Sequence, residues 1–246
     1  MPIAYVGGQI AGFAGTTSAQ TINFALTGGL ASVPAKGDLV LIGYCIGSTV
    51  ARFPAIRNTS AVDYTTAGAR ITVADTFDVT LLVAWRFMPA TPETQFLLTE
   101  TVGGGTGDAA DAGHWTCHVF RFVHEITPMD VTVVQASAAS SRVANPGAIT
   151  PVTPGAWVYV CGGAASGTGG TYTCPDCVDF RAGSTADTND AQIGAGFRPW
   201  TTGAHDPPAF AGGGTTTTSD SWAAITLALR PHAGFIGGGA SMNIGL

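Results

Sequence analysis

Glutamate and lysine are almost missing from this chain, with three Glu and one Lys in 246 residues. These two residue types normally build the exposed faces of helices, through helix propensity and i,i+4 ion pairs. Without them a bundle or coiled coil has nothing to brace its solvent side. In their place stand 33 Thr, 34 Gly and 14 Pro. Thr, with Val, Ile and the aromatics, suits pleated strands, and Gly and Pro supply the turns between them. The composition specifies an all-β protein.

Strands are predicted over 3–6, 20–26, 39–46, 70–73, 79–87, 95–98, 115–123, 131–135, 157–161, 178–180, 192–197 and 222–229. Gly, Pro, Asn and Asp clusters separate them, the pattern of a sandwich or barrel. The run 39–46 is apolar nearly throughout, as a strand covered on both faces should be. Residues 133–144, rich in Ala and Ser, compete as a helix, but Asn145-Pro146 limits them to a turn or two. An internal echo links 33–42 with 152–160: each is a Pro/Gly turn feeding a buried apolar strand. It reads either as two equivalent halves of a jelly roll or as the ordinary reuse of this chemistry in β proteins. One domain is expected over 1–231. It is followed by a Gly-rich arm, 232–246, whose Phe235, Ile236, Met242, Ile244 and Leu246 are suited to packing on a neighbouring chain.

The net charge is −6, and the nine Arg scattered from Arg52 to Arg230 form no basic run. A nucleic-acid partner and an anionic membrane surface are therefore not expected. No apolar run approaches the roughly 18–20 residues of a spanning helix, so membrane insertion is not expected. The opening residues lack a basic region followed by an apolar one, so no cleaved secretion signal is expected. With five cysteines that cannot all pair, synthesis in a reducing cytoplasm is the expectation. Cys45, Cys117 and Cys161 lie in strand-like runs and read as small buried apolar residues. Cys174-Pro175-Asp176-Cys177 is a lone CxxC in a Gly/Thr-rich loop. With no second pair and no βαβ pattern it reads as a turn with incidental thiols rather than a zinc or redox site.

The candidates for chemistry are few. His114 and His118 fall on one face of a strand and Cys117 on the other; the two histidines, about 13 Å apart, cannot share a metal. They read as strand-end histidines with satisfied hydrogen bonds. The oxygens of 184–190 lack the spacing of an EF-hand loop, and 103–108 lacks the Lys and following helix of a phosphate cradle. No nucleophile elbow, HExxH or nucleophile–base pair is present in the sequence. Neither an enzyme, a metal nor a cofactor is expected. What remains is the Pro-rich loop RPWTTGAHDPPAF, where Arg198, Trp200, His205, Asp206 and Phe210 suit a sugar: a ring stacks on the pyranose and polar groups take its hydroxyls. The same aromatics could equally plug a sandwich end or a subunit contact.

Segments 1–26, 33–47 (VPAKGDLVLIGYCIG), 79–94 (VTLLVAWRFMPATPET), 114–123 (HWTCHVFRFV), 146–165 and 219–231 (SDSWAAITLALRP), in that order, resemble jelly-roll virion proteins of tailed phages, prophages and gene transfer agents. The resemblance covers about 1–231 and rests on turn-and-strand signatures, so it carries over no functional residue. It implies a β-sandwich displayed on a virion, often as a trimer, as head spike, capsid decoration or tail-tip component. The expected function is a non-enzymatic structural protein of such a particle, in contact with other virion proteins and aiding attachment to host-surface polysaccharide. The alternatives are a purely architectural capsid or tail cement and a carbohydrate-active depolymerase.

Overall fold

The computed structural model describes residues 1–14, 19–75, 78–102, 112–139, 141–166, 170–185, 190–213 and 220–232. The arm residues Phe235, Ile236, Met242, Ile244 and Leu246 and the glycine run 103–107 lie outside them. The strands are β1 (Ala4–Ala14), β2 (Ala19–Asn23), β3 (Leu39–Ser48), β4 (Arg52–Arg57), β5 (Thr65–Thr66), β6 (Ile71–Val73), β7 (Asp78–Phe87), β8 (Gln95–Val102), β9 (Ala112–Arg121), β10 (Val134–Ala138), β11 (Trp157–Ser166), β12 (Asp179–Thr185), β13 (Asp190–Pro199) and β14 (Trp222–Leu229). All pairings are antiparallel, and the fold is the expected all-β sandwich.

Each half of the chain makes one sheet. The first runs β1-β9-β3-β7, with β5 and β6 along the outer edge of β7; the second runs β10-β14-β11-β13-β12. Within each half the order is the same: first strand, last, second, fourth, third. The sheets face each other about a pseudo-twofold axis parallel to the strands. Thus β3 packs on β11, β9 on β13, β7 on β14, β1 on β12 and β6 on β10. The echo noted in the sequence is this symmetry. Gly37 (φ +79°) and Gly155 (φ +82°) occupy matching turns, and the amides of Asp38 and Ala156 bond the carbonyls of Ala35 and Thr153 at 3.0 and 3.1 Å.

Where β3 and β11 cross the axis, the match is reciprocal. A methyl on Gly43 would stand 2.6 Å from the Cys161 sulfur, and one on Gly163 would stand 2.4 Å from the Cys45 sulfur. Each cysteine therefore fills the space left by the other strand's glycine. All three strand cysteines, Cys45, Cys117 and Cys161, are fully buried, and burial pushes their thiols up.

The outer faces are covered too. A third sheet, β2-β8-β4, lies over the first and packs Phe96, Leu98 and Ile56 on Ile42, Tyr44 and Trp115. Over the second sheet, loop residues Ile149, Tyr172 and Phe210 cover Val158, Val160 and Ala224. This is why β3 and β14 are buried along their whole length, odd and even positions alike. Two segments differ from the sequence reading. The strand expected at 131–135 forms as β10 three residues later, at 134–138, and the rival helical turn is not taken, because β14 offers an open edge to pair with. Residues 52–57, absent from the predicted strands, form β4 on the edge of the third sheet, where the missing N–H of Pro54 is tolerated.

The reciprocal packing generates a prediction. Gly43→Ala should destabilise by about 1–3 kcal/mol through overpacking. Adding Cys161→Ala, which removes the clashing sulfur, should recover part of that loss, so urea unfolding of the four variants should show positive coupling. Strict additivity would mean that the two residues do not fit into each other.

Candidate functional site

The loop singled out by sequence, 198–210, is tacked across the outer face of the second sheet. The Trp200 amide bonds the Ala156 carbonyl at 2.9 Å, and His205 and Ile149 exchange two backbone bonds of 2.8 Å. The Phe210 amide bonds Ala144, and Ala211 pairs with Thr173. These ties divide the five predicted residues. Phe210 is fully buried, edge-on to Tyr172 and Phe180 with centroids 5.4 and 5.0 Å away. It belongs to the core under the loop and cannot meet a ligand. Arg198, Trp200 and His205 are half-buried and Asp206 is exposed. Trp200 packs one side on the core, and its indole N–H donates to the Gly203 carbonyl at 2.8 Å, so the ring is held in place.

Arg198 and His205 open onto a small recess over Val158, Val160 and Pro207. Its other wall is the CPDC turn, a placement that no local pattern around 174–177 signals. The Cys177 amide bonds the Cys174 carbonyl at 3.2 Å, a tight turn that carries Asp176 to the rim. Asp176 pairs with Arg198 through Nη1 and lies 3.4 Å from His205 Nε2. Burial and the Arg198 charge lower the His205 pKa, outweighing Asp176 and Asp206. The recess has room for little more than a water molecule and is not an enclosing ligand pocket. A ligand here would rest on the surface, oriented by a charged pair and a neutral imidazole.

A second polar group lies where β1 and β9 meet β12. Along β9 the inward row is His114, Thr116, His118 and Phe120. At the matching positions of β14 stand Ala223, Ile225, Leu227 and Leu229, read from the shared pairing with the central strands. The second half thus fills the same row with apolar side chains alone, so the fold does not demand histidine there. His114 lies in a slot between Gly12 and Gly183, where an added methyl would come within 2.1 and 2.3 Å of its ring, and its Nδ1 is 3.0 Å from Thr185 Oγ1. His118 is fully enclosed by Tyr5, Phe120, Tyr159 and Phe197. Its Nε2 is 3.5 Å from Asp179 Oδ1, and neither ring nitrogen makes a hydrogen bond. Arg181 ties the edge together, donating to Asp179 (2.9 Å), the Tyr5 hydroxyl (3.2 Å) and the Thr27 carbonyl (2.7 Å).

These histidines are not strand-end groups, as the sequence suggested, but interior ones, and only His114 has its hydrogen bond. They share a face, with Cys117 on the other, as alternation requires. Among the described residues no three His, Cys, Asp or Glu side chains are arranged to hold a metal. Of the oxygen-rich stretch 184–190, Thr185 serves His114, while 186–189 lie outside the described residues. No protein-family model and no curated protein matches this chain.

The buried imidazoles make stability depend on pH. Burial lowers the His114 pKa to about 4 and also lowers that of His118. The unfolded chain, with histidines near 6.5, therefore binds protons that the fold refuses. Their contribution is complete above about pH 6.5 and declines as pH falls toward 4, by at most about 1.4 kcal/mol per pH unit for each histidine. Urea unfolding between pH 7.5 and 5 should show this loss. His118→Leu, the choice made in the other half of the chain, should reduce the slope and leave stability at pH 7.5 within about 1 kcal/mol. An unchanged slope would show that His118 is not the titrating group.

Proposed function

We propose that this chain is a non-enzymatic structural protein of a tailed-phage-like virion, exposed on the particle at the tail tip, fibre or head surface, and that it aids attachment to host-surface glycan. The observation that carries the assembly half of this reading is the placement of three of its exposed apolar side chains. Ile126 (87% exposed) follows β9, Val152 (65% exposed) precedes β11, and Val33, also exposed, precedes β3. All three lie at the end of the sandwich where the central strands begin. Isolated apolar residues on a surface need no explanation, but several at one end suit a subunit contact. The resemblance to jelly-roll virion proteins supports the same reading, with a homotrimer favoured and other virion proteins as neighbours.

Support for the glycan half comes from the 198–206 loop. Trp200 offers one half-exposed face of a fixed ring, and Arg198, Asp176, His205 and Asp206 stand beside it with hydrogen-bonding groups. A fixed aromatic loses little entropy on stacking against a sugar. The burial of Phe210 and half of Trp200 also favours a second reading, in which the loop only seals the sandwich and the protein is an architectural cement.

Light scattering at micromolar concentration should find an oligomer, and Ile126→Asp with Val152→Asp should dissociate it; a wild-type monomer would remove the assembly reading. Gold-labelled antibody on particles from the source organism should mark head or tail, and unlabelled particles would remove the virion reading. Titration with host-surface polysaccharide should give saturable binding that Trp200→Ala weakens about tenfold or more, the loss typical of an aromatic anchor. Binding that is absent, or unchanged in that variant, would leave the cement reading.

A further inference from the structure

The CPDC turn does more than shape the recess. Its Cys177 thiol donates to the Cys174 sulfur at 2.9 Å, whereas the other three cysteines lie apart from this turn, fully buried in strands. Both residues line the recess, where Cys177 is partly exposed and Cys174 is only 6% exposed, so a small molecule reaches Cys174 only from the side that carries Arg198 and His205. The turn itself is anchored on both flanks. Thr173 pairs with Ala211, and the Val178 amide bonds the Phe197 carbonyl at 2.8 Å. Closing a bond between sulfurs already in contact would therefore leave these flanking bonds in place.

We propose that Cys174 and Cys177 form a reversible dithiol–disulfide pair that exchanges with low-molecular-weight disulfides of the glutathione type. Cys174, once its proton has left to solvent, attacks one sulfur of the small disulfide. A Cys174–S–S–R bond forms, the original S–S bond breaks, and one thiolate R–S⁻ departs. The Cys177 thiolate then attacks the Cys174 sulfur, forming the intramolecular bond and releasing the second R–S⁻. Two protein thiols are oxidised, one small disulfide is reduced to two thiols, and the two protons given up by the cysteines balance the two thiolates.

The order of attack follows from the surroundings of each sulfur. The Cys177 thiol and the amides of Asp176 and Cys177 stabilise charge on Cys174 and lower its pKa. The neighbouring Cys174 sulfur, with burial, pushes Cys177 up. Arg198 and the small recess beside the pair limit attackers to small molecules, and oxidation would fix the rim on which Asp176 holds Arg198. The inference is independent of the virion reading.

The test uses the full chain with an excess of oxidised glutathione under native conditions. Intact mass should fall by about 2 Da, with Cys174 and Cys177 joined in a single peptide and the other three thiols free, and a small dithiol should reverse the change. Cys177→Ser should trap glutathione on Cys174, a gain of about 300 Da, faster than Cys174→Ser traps it on Cys177. Three outcomes would overturn the proposal: a pair that stays reduced, trapping only in Cys174→Ser, or stoichiometric zinc held by the wild type and lost in the double serine variant.

Discussion

The sandwich depends on how closely β3 and β11 approach. Gly43 meets Cys161 and Gly163 meets Cys45, each pair filling one layer at the pseudo-twofold axis. A larger side chain at either glycine would push the sheets apart along their whole length, because the neighbouring contacts (β9 on β13, β7 on β14) are set by the same spacing. Interiors are packed nearly as densely as crystals and do not absorb an extra methyl cheaply. The cysteines here act as small, soft apolar groups, and their thiol chemistry is silenced by burial. The one thiol pair that reaches a surface recess lies in a loop, away from this layer.

Against the symmetric frame, the departures from symmetry stand out. The row His114, Thr116, His118 on β9 faces β12, and the matching row on β14 is Ala223, Ile225, Leu227. The polar edge formed by Arg181, Asp179 and Tyr5 holds the β1–β12 side, while the corresponding side at β6 and β10 is packed with Ile71, Val73, Met129 and Val133. The two buried imidazoles that make stability depend on pH thus lie on one side of the sandwich only. Matching turns also use different residues for one task. Asp38 accepts from the Ala35 amide in its own turn and is gripped by Arg121; in the second half Asp130, brought in from before β10, accepts from the Thr153 amide and is gripped by Arg230.

The loop layer over the second sheet carries the surface chemistry. Backbone pairing of His205 with Ile149 and of Ala211 with Thr173 turns a Pro-rich connection into a cover for β11 and β14. That cover needs Phe210 underneath, which removes it from any ligand, and it leaves Trp200, Arg198, His205 and Asp206 at the rim with the CPDC turn opposite. Ring, charge pair and thiol pair thus come from two segments, 174–177 and 198–206, that are 21 residues apart at their nearest and are joined only by the fold.

By itself the sequence determined the class and the layering: too little Glu and Lys for helices, strand runs with turn residues between, and an apolar run at 39–46 that had to be covered on both faces. It also assigned Cys45, Cys117 and Cys161 to the interior and placed His114 and His118 on one side of their strand, since alternation is a local property of extended backbone. Long-range packing settled the rest. Whether Pro54 could sit in a strand depended on that strand being an edge. Whether Phe210 faced solvent depended on what Tyr172 and Phe180 left open. Whether CPDC was a bare turn or one wall of a recess depended on where residues 198–207 crossed the sheet. Each of these is a contact between distant segments, and local patterns of hydrophobicity carry no information about which distant segment will arrive.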